Sequence, residues 1–340
     1  MVRTRAMRRT LPHASVRLLS ILTTLITLGM TASCTQASPR ETAASQAGAI
    51  PPGTRFYVDP ELQSARWVAQ HPNDPHAAII RDKIASIPQA RWFTRHNPDA
   101  VAAEVGAYVD AAAAAKAVPI LVAYNIPNRD CNGASSGGAP DHQGYRAWVD
   151  QFARGLGSGP VVIILEPDVL AQMSDCMDRP AQQRVMESMA YAGRAFHKAN
   201  PKARVYFDSG HSAWLPAAEM ASRLRGAQVA ADADGISTNV SNYQRTEDEI
   251  AYATNVLNHV GADHLRIVVD TSRNGNGPAA GRQWCDPSGR AIGTPPTADT
   301  GKPLVDAFLW IKVPGEADGC IAGAGTFVPD RAVELATSAG

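Results

Sequence analysis

Val161-Val162-Ile163-Ile164-Leu165-Glu166-Pro167-Asp168 decides the fold. An unbroken run of valine, isoleucine and leucine reads as a strand buried on both faces, as in a parallel sheet. Proline then ends the hydrogen-bond ladder, and a carboxylate stands at the strand's C-terminal mouth. The pattern recurs. Val118-Pro119-Ile120-Leu121-Val122-Ala123-Tyr124-Asn125 leads to Arg129-Asp130, the run at 203–207 ends at Asp208, and that at 265–269 ends at Asp270. The run at 306–312 leads through Pro314-Gly315 to Glu316 and Asp318. Carboxylates gathered at one rim suit acid–base chemistry on a neutral, polyhydroxylated substrate. Like charges crowded in a cleft raise one another's pKa, so one acid can keep its proton near neutrality.

Working outward, the sequence predicts strands at residues 54–58, 118–126, 160–166, 203–207, 235–240, 265–269 and 306–313. Between them, residues 98–117, 143–156, 180–199 and 246–260 carry apolar side chains at helical spacing. Pro98 and Pro180 fit first-turn positions. Strands alternating with helices mean an α/β fold on a parallel sheet, open or rolled into a barrel. In either form the ligand site lies at the carboxyl ends of the strands. The Gly-, Asn- and Pro-rich stretch at residues 274–303 is too extended to be a mere connection.

Composition narrows the function classes. Apolar residues are 45% of the 340 and charged residues 19%, enough for a sizeable core. Basic and acidic residues balance at 32 each, but Arg3, Arg5, Arg8, Arg9 and Arg17 all sit in the first 17. The remainder is therefore somewhat acidic, which argues against a nucleic-acid partner. Those arginines precede an apolar stretch from Leu18 to Ala32, the pattern of an export signal and too short to span a membrane comfortably. Thr31-Ala32-Ser33-Cys34 resembles a bacterial lipobox, with Thr where Leu, Val or Ile is usual. Residues 1–34 are expected to be a leader that leaves Cys34 lipidated, or else to be cleaved nearby without lipid. Residues 35–52 are expected to be a disordered tether and 53–340 the catalytic domain. The protein is expected outside the cell, free or held to the outer membrane face through Cys34, and as a monomer. Setting Cys34 aside leaves Cys131, Cys176, Cys285 and Cys320, an even set for an oxidising compartment. Their wide spacing argues against zinc, and three pairings are open.

The chemical groups divide into candidates and decoys. Asp130 lies between Arg129 and Cys131 in a loop ending Ser135-Ser136-Gly137-Gly138. Asp168 could merely cap the following helix, but several carboxylates at one rim favour acid–base work. Trp92, Trp214 and Trp284 read as loop residues whose flat faces suit sugar rings, while Trp67 and Trp148 read as core on helices. Gly210-His211-Ser212-Ala213-Trp214 looks like a nucleophile elbow but has Trp at the last glycine. Asp232-Ala233-Asp234-Gly235 lacks the later ligands of a calcium loop. Asn239-Val240-Ser241 is a glycosylation sequon only by pattern. No phosphate-binding glycine loop is present, so no cofactor is expected.

The assembled motifs carry a family resemblance. Tyr124-Asn-Ile-Pro-x-Arg129-Asp130-Cys131, Ser135-Ser136-Gly137-Gly138, Glu166-Pro167-Asp168, Asp208-x-Gly210-His211-Ser212-x-Trp214 and Asn239-Val-Ser-Asn242 resemble glycoside hydrolase family 6 cellulases. So do Asp270-Thr-Ser-Arg-Asn-Gly275 and Lys312-x-Pro-Gly-Glu316-Ala-Asp318-Gly-Cys320. The resemblance implies a distorted, incomplete seven-stranded parallel β/α barrel that hydrolyses β-1,4-glucan with inversion. It makes Asp168 the general acid, Asp130 its modulator, Tyr124 the residue that distorts the sugar, and Ser136 a holder of the water chain. Asp318 is the candidate base. An inverting pair stands about 6.5–9.5 Å apart to admit water. Lys312, Glu316 and Asn242 would bind sugar hydroxyls, and Trp92, His211, Trp214 and Trp284 would line subsites. The implied disulfides are Cys131–Cys176 and Cys285–Cys320, and no metal is implied. Asn128 stands where relatives often have Gly or Asp. The compact length resembles the endo-acting branch more than the exo-acting one. Rivals are an exo-acting cellobiohydrolase, a non-catalytic oligosaccharide-binding lipoprotein, and a serine esterase using Ser212.

Overall fold

Side chains alternate across a strand, so a run that is apolar at every position must be covered on both faces. The computed structural model, which describes residues 50–338, meets that demand with two apolar layers. Val161, Ile163 and Leu165 point outward to a large core shared with the helices, and Val162 and Ile164 point into the interior of the curled sheet. Each fully buried side chain of this kind contributes about 1.5–3 kcal/mol.

The strands are β1 (Arg91–Phe93), β2 (Ile120–Ala123), β3 (Val161–Leu165), β4 (Ala203–Asp208), β5 (Gly235–Thr238), β6 (Arg266–Asp270) and β7 (Val305–Leu309). All neighbours pair in parallel, in sequence order. The sheet curls until its edges nearly meet. There, the Ala90 N–H donates to the Trp310 carbonyl at 2.9 Å, and Trp92 Nε1 donates to the Ile311 carbonyl at 2.7 Å. This is the distorted seven-stranded α/β barrel expected from the sequence.

One strand lies elsewhere than the sequence predicts. Residues 54–58 make only an isolated bridge, Phe56 to Val118, and the first strand is Arg91–Phe93, read as loop. A three-residue strand holding Arg and Trp gives too little pattern for a period-two reading. Its alternation is nonetheless real. Arg91 lies over the Phe93 and Tyr108 rings on one side, and Trp92 meets Tyr124 on the other.

Two helices follow their sequence signals, whereas Pro98 lies ahead of the helix Val101–Ala114 rather than in its first turn. Asp178 caps Arg179–Ala199 by accepting from the Ala181 N–H at 2.8 Å, with Pro180 in the first turn. Thr246–Val260 ends at Gly261, whose φ of 77° suits glycine. The leader, Cys34 and the tether up to residue 49 lie outside the described residues. Ile50, assigned to that tether, is buried among the interior side chains and belongs to the folded body.

Candidate active site

The rim carboxylates do different jobs. Three organise backbone. Glu166, after β3, accepts from the Asn125 and Ile126 N–H groups at 3.0–3.1 Å, fixing the loop after β2. Asp208 closes β4 and accepts from the Asp168 N–H at 2.9 Å, fixing the loop after β3. Asp270 closes β6 and accepts from Ser241, Ile311 and Lys312 N–H groups at 2.9–3.2 Å, fixing the loops after β5 and β7. In each case a strand-end carboxylate holds the loop of a neighbouring strand. Asp130, Asp168 and Asp318 lie close enough together for the charges of Asp130 and Asp318 to raise the Asp168 carboxyl.

Asp168 stands at the start of the Val169–Cys176 helix but does not cap it. Its backbone is left-handed, with φ 68°, and its buried Oδ1 has no hydrogen-bond partner in the protein. A buried carboxyl oxygen left unpaired is costly for the charged form. Burial pushes the Asp168 carboxyl well above the usual carboxylate range, and the charges of Asp208, Asp130 and Asp318 add to this. Asp208 is itself pushed up to about 7, mainly by burial.

Asp130 sits in a loop built around left-handed residues, Asn128, Asp130, Cys131 and Asn132. Asn and Asp tolerate that conformation best after glycine, which is the physical sense of Asn128. Gly138 closes the loop at φ 94°, where an added Cβ would lie 2.0 Å from the Ile126 carbonyl oxygen. The buried Arg129 fills the loop, donating to the carbonyls of Thr94, Tyr124 and Ser135 at 2.6–2.8 Å. Its guanidinium lies 4.6 Å from the centre of the Tyr124 ring. Asp130 accepts from the Ser135 N–H at 2.6 Å, and the Cys131–Cys176 disulfide joins this loop to the helix that follows Asp168. Ser136 is exposed at the loop's tip.

Asp318 is held in the opposite way. Arg273 Nη1 lies 2.9 Å from both its oxygens, and Lys312 Nζ is 3.3 Å away. The Tyr243 hydroxyl donates at 2.9 Å and the Asp286 N–H at 3.1 Å. Burial pushes the carboxyl up, but the Arg273 and Lys312 charges outweigh it and hold it below its ordinary value. Asp286 in turn accepts from the N–H groups of Asp318, Cys320 and Ile321, beside the Cys285–Cys320 disulfide. Both disulfides thus match the pairing implied by resemblance. Cys285, Asp286 and Cys320 cluster closely, but two bridged sulfurs cannot ligate a metal as thiolates.

The predicted binding residues spread along the same rim. Trp92 lies half-buried on β1, edge-on to Tyr124 at 5.4 Å, and His211 lies 5.4 Å from Trp214. Burial and Arg282 push the His211 pKa down to about 4. Trp284 is 58% exposed. Glu316 accepts from Gln63 at 2.6 Å and is pushed up to about 7 by burial, against the Lys312 charge. Asn242 donates to the Val240 carbonyl at 3.0 Å. The decoys resolve as structure. Asn239 is fully buried and bonded to the Asp270 carbonyl, while Asp232 and Asp234 pair with Arg194 and His197. Asp208 and Arg273 are the residues whose part the sequence did not assign. Asp208 was visible as one more strand-end acid, and Arg273 only as a letter in a motif.

Residues 52–339 match the family described as "Glycosyl hydrolases family 6". The chain belongs to this family. It is 61% identical over 284 residues to Endoglucanase A of Thermobispora bispora, covering 84% of this chain and 62% of that relative. The chain therefore spans less than two thirds of that relative's length. Endoglucanase 1 of a Streptomyces species is 46% identical over 295 residues, covering 85% and 81%. An endoglucanase from Mycobacterium tuberculosis, solved in complex with methyl-cellobiosyl-4-deoxy-4-thio-β-D-cellobioside, superposes with a TM-score of 0.78. The two share 41% identity over 85% of this chain and 98% of that one.

Proposed function

We propose that this chain is an inverting endo-β-1,4-glucanase that cleaves internal bonds of cellulose or related β-glucans. The observation that carries the reading is the contrast between Asp168, half-buried with its inner Oδ1 unpaired, and Asp318, pinned by Arg273 and Lys312. A protonated acid and an ionised base at one cleft can divide a single displacement between them. Asp168 protonates the departing glycosidic oxygen. Asp318 takes the proton of a water that enters from the opposite face, and the β-linkage becomes an α-hemiacetal. Asp130 and Asp208 keep Asp168 protonated, Ser136 steadies the water, and Tyr124 presses on the sugar at the scissile bond. Trp92, His211, Trp214 and Trp284 stack sugar rings, while Lys312, Glu316 and Asn242 meet hydroxyls.

Endo action is supported by relatives named endoglucanases at 61% and 46% identity. Export, with lipid on Cys34, is supported by the arginine-flanked apolar leader and its cysteine. One chain supplies every group named above, so a monomer suffices for the proposed reaction. Proton NMR within minutes of adding cellohexaose should show the new reducing end as the α-anomer, with mixed products and an early fall in glucan viscosity. A β-anomer first would refute the single displacement; cellobiose alone from the outset would make the enzyme exo-acting. Growth of the exporting cell on labelled fatty acid tests Cys34: label should follow the protein and vanish in Cys34→Ala.

A further inference from the structure

Glu249 lies on the Thr246–Val260 helix and is fully buried. Its Oε1 accepts from the Ser212 N–H at 2.8 Å, and its Oε2 is hydrogen-bonded to the Thr238 hydroxyl. The same hydroxyl lies 3.1 Å from the Gly210 carbonyl oxygen. The Gly210 carbonyl also accepts from the Asn239 N–H at 2.8 Å, so it has a partner in either state of Glu249. Thr238 has one hydroxyl proton, and both of its contacts are hydrogen bonds only if Glu249 carries a proton. Glu249 then donates to Thr238, Thr238 donates to Gly210, and the Ser212 N–H donates to Glu249. Burial favours the proton on Glu249, its hydrogen bonds oppose this, and the neighbouring Asp248 charge adds to burial. Asp208 is a further like charge in the same region.

Gly210 and Ser212 flank His211, and the Trp214 N–H donates to the His211 carbonyl at 3.0 Å. Gly210 takes φ 65°, and a Cβ there would lie 3.0 Å from Ala171 Cβ and 3.4 Å from the Trp214 ring. The backbone is thus held on both sides of His211, by Asp208 through the Gly210 N–H and by the Glu249–Thr238 relay. We propose that Glu249, as a neutral carboxylic acid, is a positioning residue that fixes His211 and Trp214 as one sugar-binding face. The proposal rests on the glucanase reading of the cleft.

Glu249→Gln reproduces the neutral acid: its amide donates to Thr238 and its carbonyl accepts from Ser212. It should keep KM for cellopentaose within about twofold of the parent, whereas Glu249→Ala should raise KM roughly tenfold with kcat within about twofold. Glu249→Ala should also raise the His211 pKa, read by imidazole NMR without substrate, because a released loop lets water reach the ring. Thr238→Val breaks the relay without removing the acid and should shift both readouts the same way, less far. It serves if Glu249→Ala does not fold. Loss of affinity in Glu249→Gln, a fall in kcat rather than a rise in KM, or an unmoved His211 in Glu249→Ala or Thr238→Val overturns the proposal. If the parent cleaves no glucan, the functional reading fails, and the His211 titration still decides this one.

Discussion

Asp168 and Asp318 lie close together on two differently built walls of the candidate site. Asp168 follows a strand, sits on a left-handed backbone, and has acids for neighbours and an oxygen without a partner. Asp318 sits between two cations, a tyrosine hydroxyl and a backbone N–H. Burial acts on both in the same direction, toward the neutral form. What differs is the balance of neighbouring charge and the hydrogen bonds each carboxyl receives, and these send the two pKa values apart. Two identical side chains are pushed toward opposite protonation states without any difference in their own chemistry, as the proposed acid and base roles require.

Removing the acid should produce the largest effect. Asp168→Ala should slow hydrolysis of unactivated cello-oligosaccharides by ~10²–10⁴-fold, the usual span for general acid catalysis. A substrate with a strongly acidic leaving group needs little protonation and should lose far less. Equal losses on both would mean that Asp168 does not supply the proton.

Removing the cation breaks the other wall. Arg273→Met leaves Asp318 buried beside Lys312 alone and should cost about 3–5 kcal/mol of stability, measured by urea unfolding near neutrality. Asp318 has a lowered folded pKa, so its stabilising share is present above the ordinary carboxylate pKa and is lost as pH falls through the lowered value. In the variant the folded pKa should rise toward the ordinary value, so that loss should be smaller and complete at a higher pH, and the acid limb of activity should move up with it. An acid limb that stays in place would remove Asp318 from the base role.

The two walls were not equally legible in the sequence. The strand carrying Asp168 announces itself, because five apolar residues ending in Glu-Pro-Asp have few other readings. The same holds for the helices that carry strong caps. β1 is not legible because three residues hold no period, so Trp92 reads as a loop residue although it lies on a strand. The partners of Asp318 were harder still. Arg273 lies 45 positions away and Tyr243 lies 75, and nothing local marks an arginine as the cation of a distant acid. Motif resemblance named the acids, but only the folded arrangement tells which neighbour sets each charge.

The disulfides test whether the walls are held independently. Cys131–Cys176 closes a separation of 45 residues and ties the Asp130 loop to the helix after Asp168; Cys285–Cys320 closes 35 beside Asp318. Each paired Cys→Ser replacement should cost about 2–4 kcal/mol, read as a lower urea midpoint. Loss of Cys131–Cys176 should disturb the alkaline limb, and loss of Cys285–Cys320 the acid limb. Identical pH profiles in the two variants would mean that the walls act as one unit.

The smallest expected effect isolates a single charge on the Asp168 wall. Asp208 is fully buried, accepts from the Asp168 and Gly210 N–H groups at 2.9 Å, and is pushed up to about 7. After burial, its charge is the first of those that raise Asp168. The two acids titrate as a pair, so the alkaline limb of activity belongs to both. Asp208→Asn keeps an acceptor oxygen for the N–H groups and removes the charge, so Asp168 should release its proton more easily. The alkaline limb should then move to lower pH by about one unit, equivalent to roughly 1.4 kcal/mol. Stability gives a second readout with a definite sign. A carboxyl raised to about 7 in the folded state stabilises fully below its ordinary value, and this share is lost as pH rises through 7. The parent should therefore lose stability between pH 5 and pH 8, an effect that Glu166 and Glu316, also pushed up to about 7, reinforce. Asp208→Asn cannot titrate, so its decline over that window should be shallower. If the alkaline limb stays or moves upward while the stability slope flattens, Asp208 titrates but does not set the acidity of Asp168. The wall would then depend on burial and Asp130 alone.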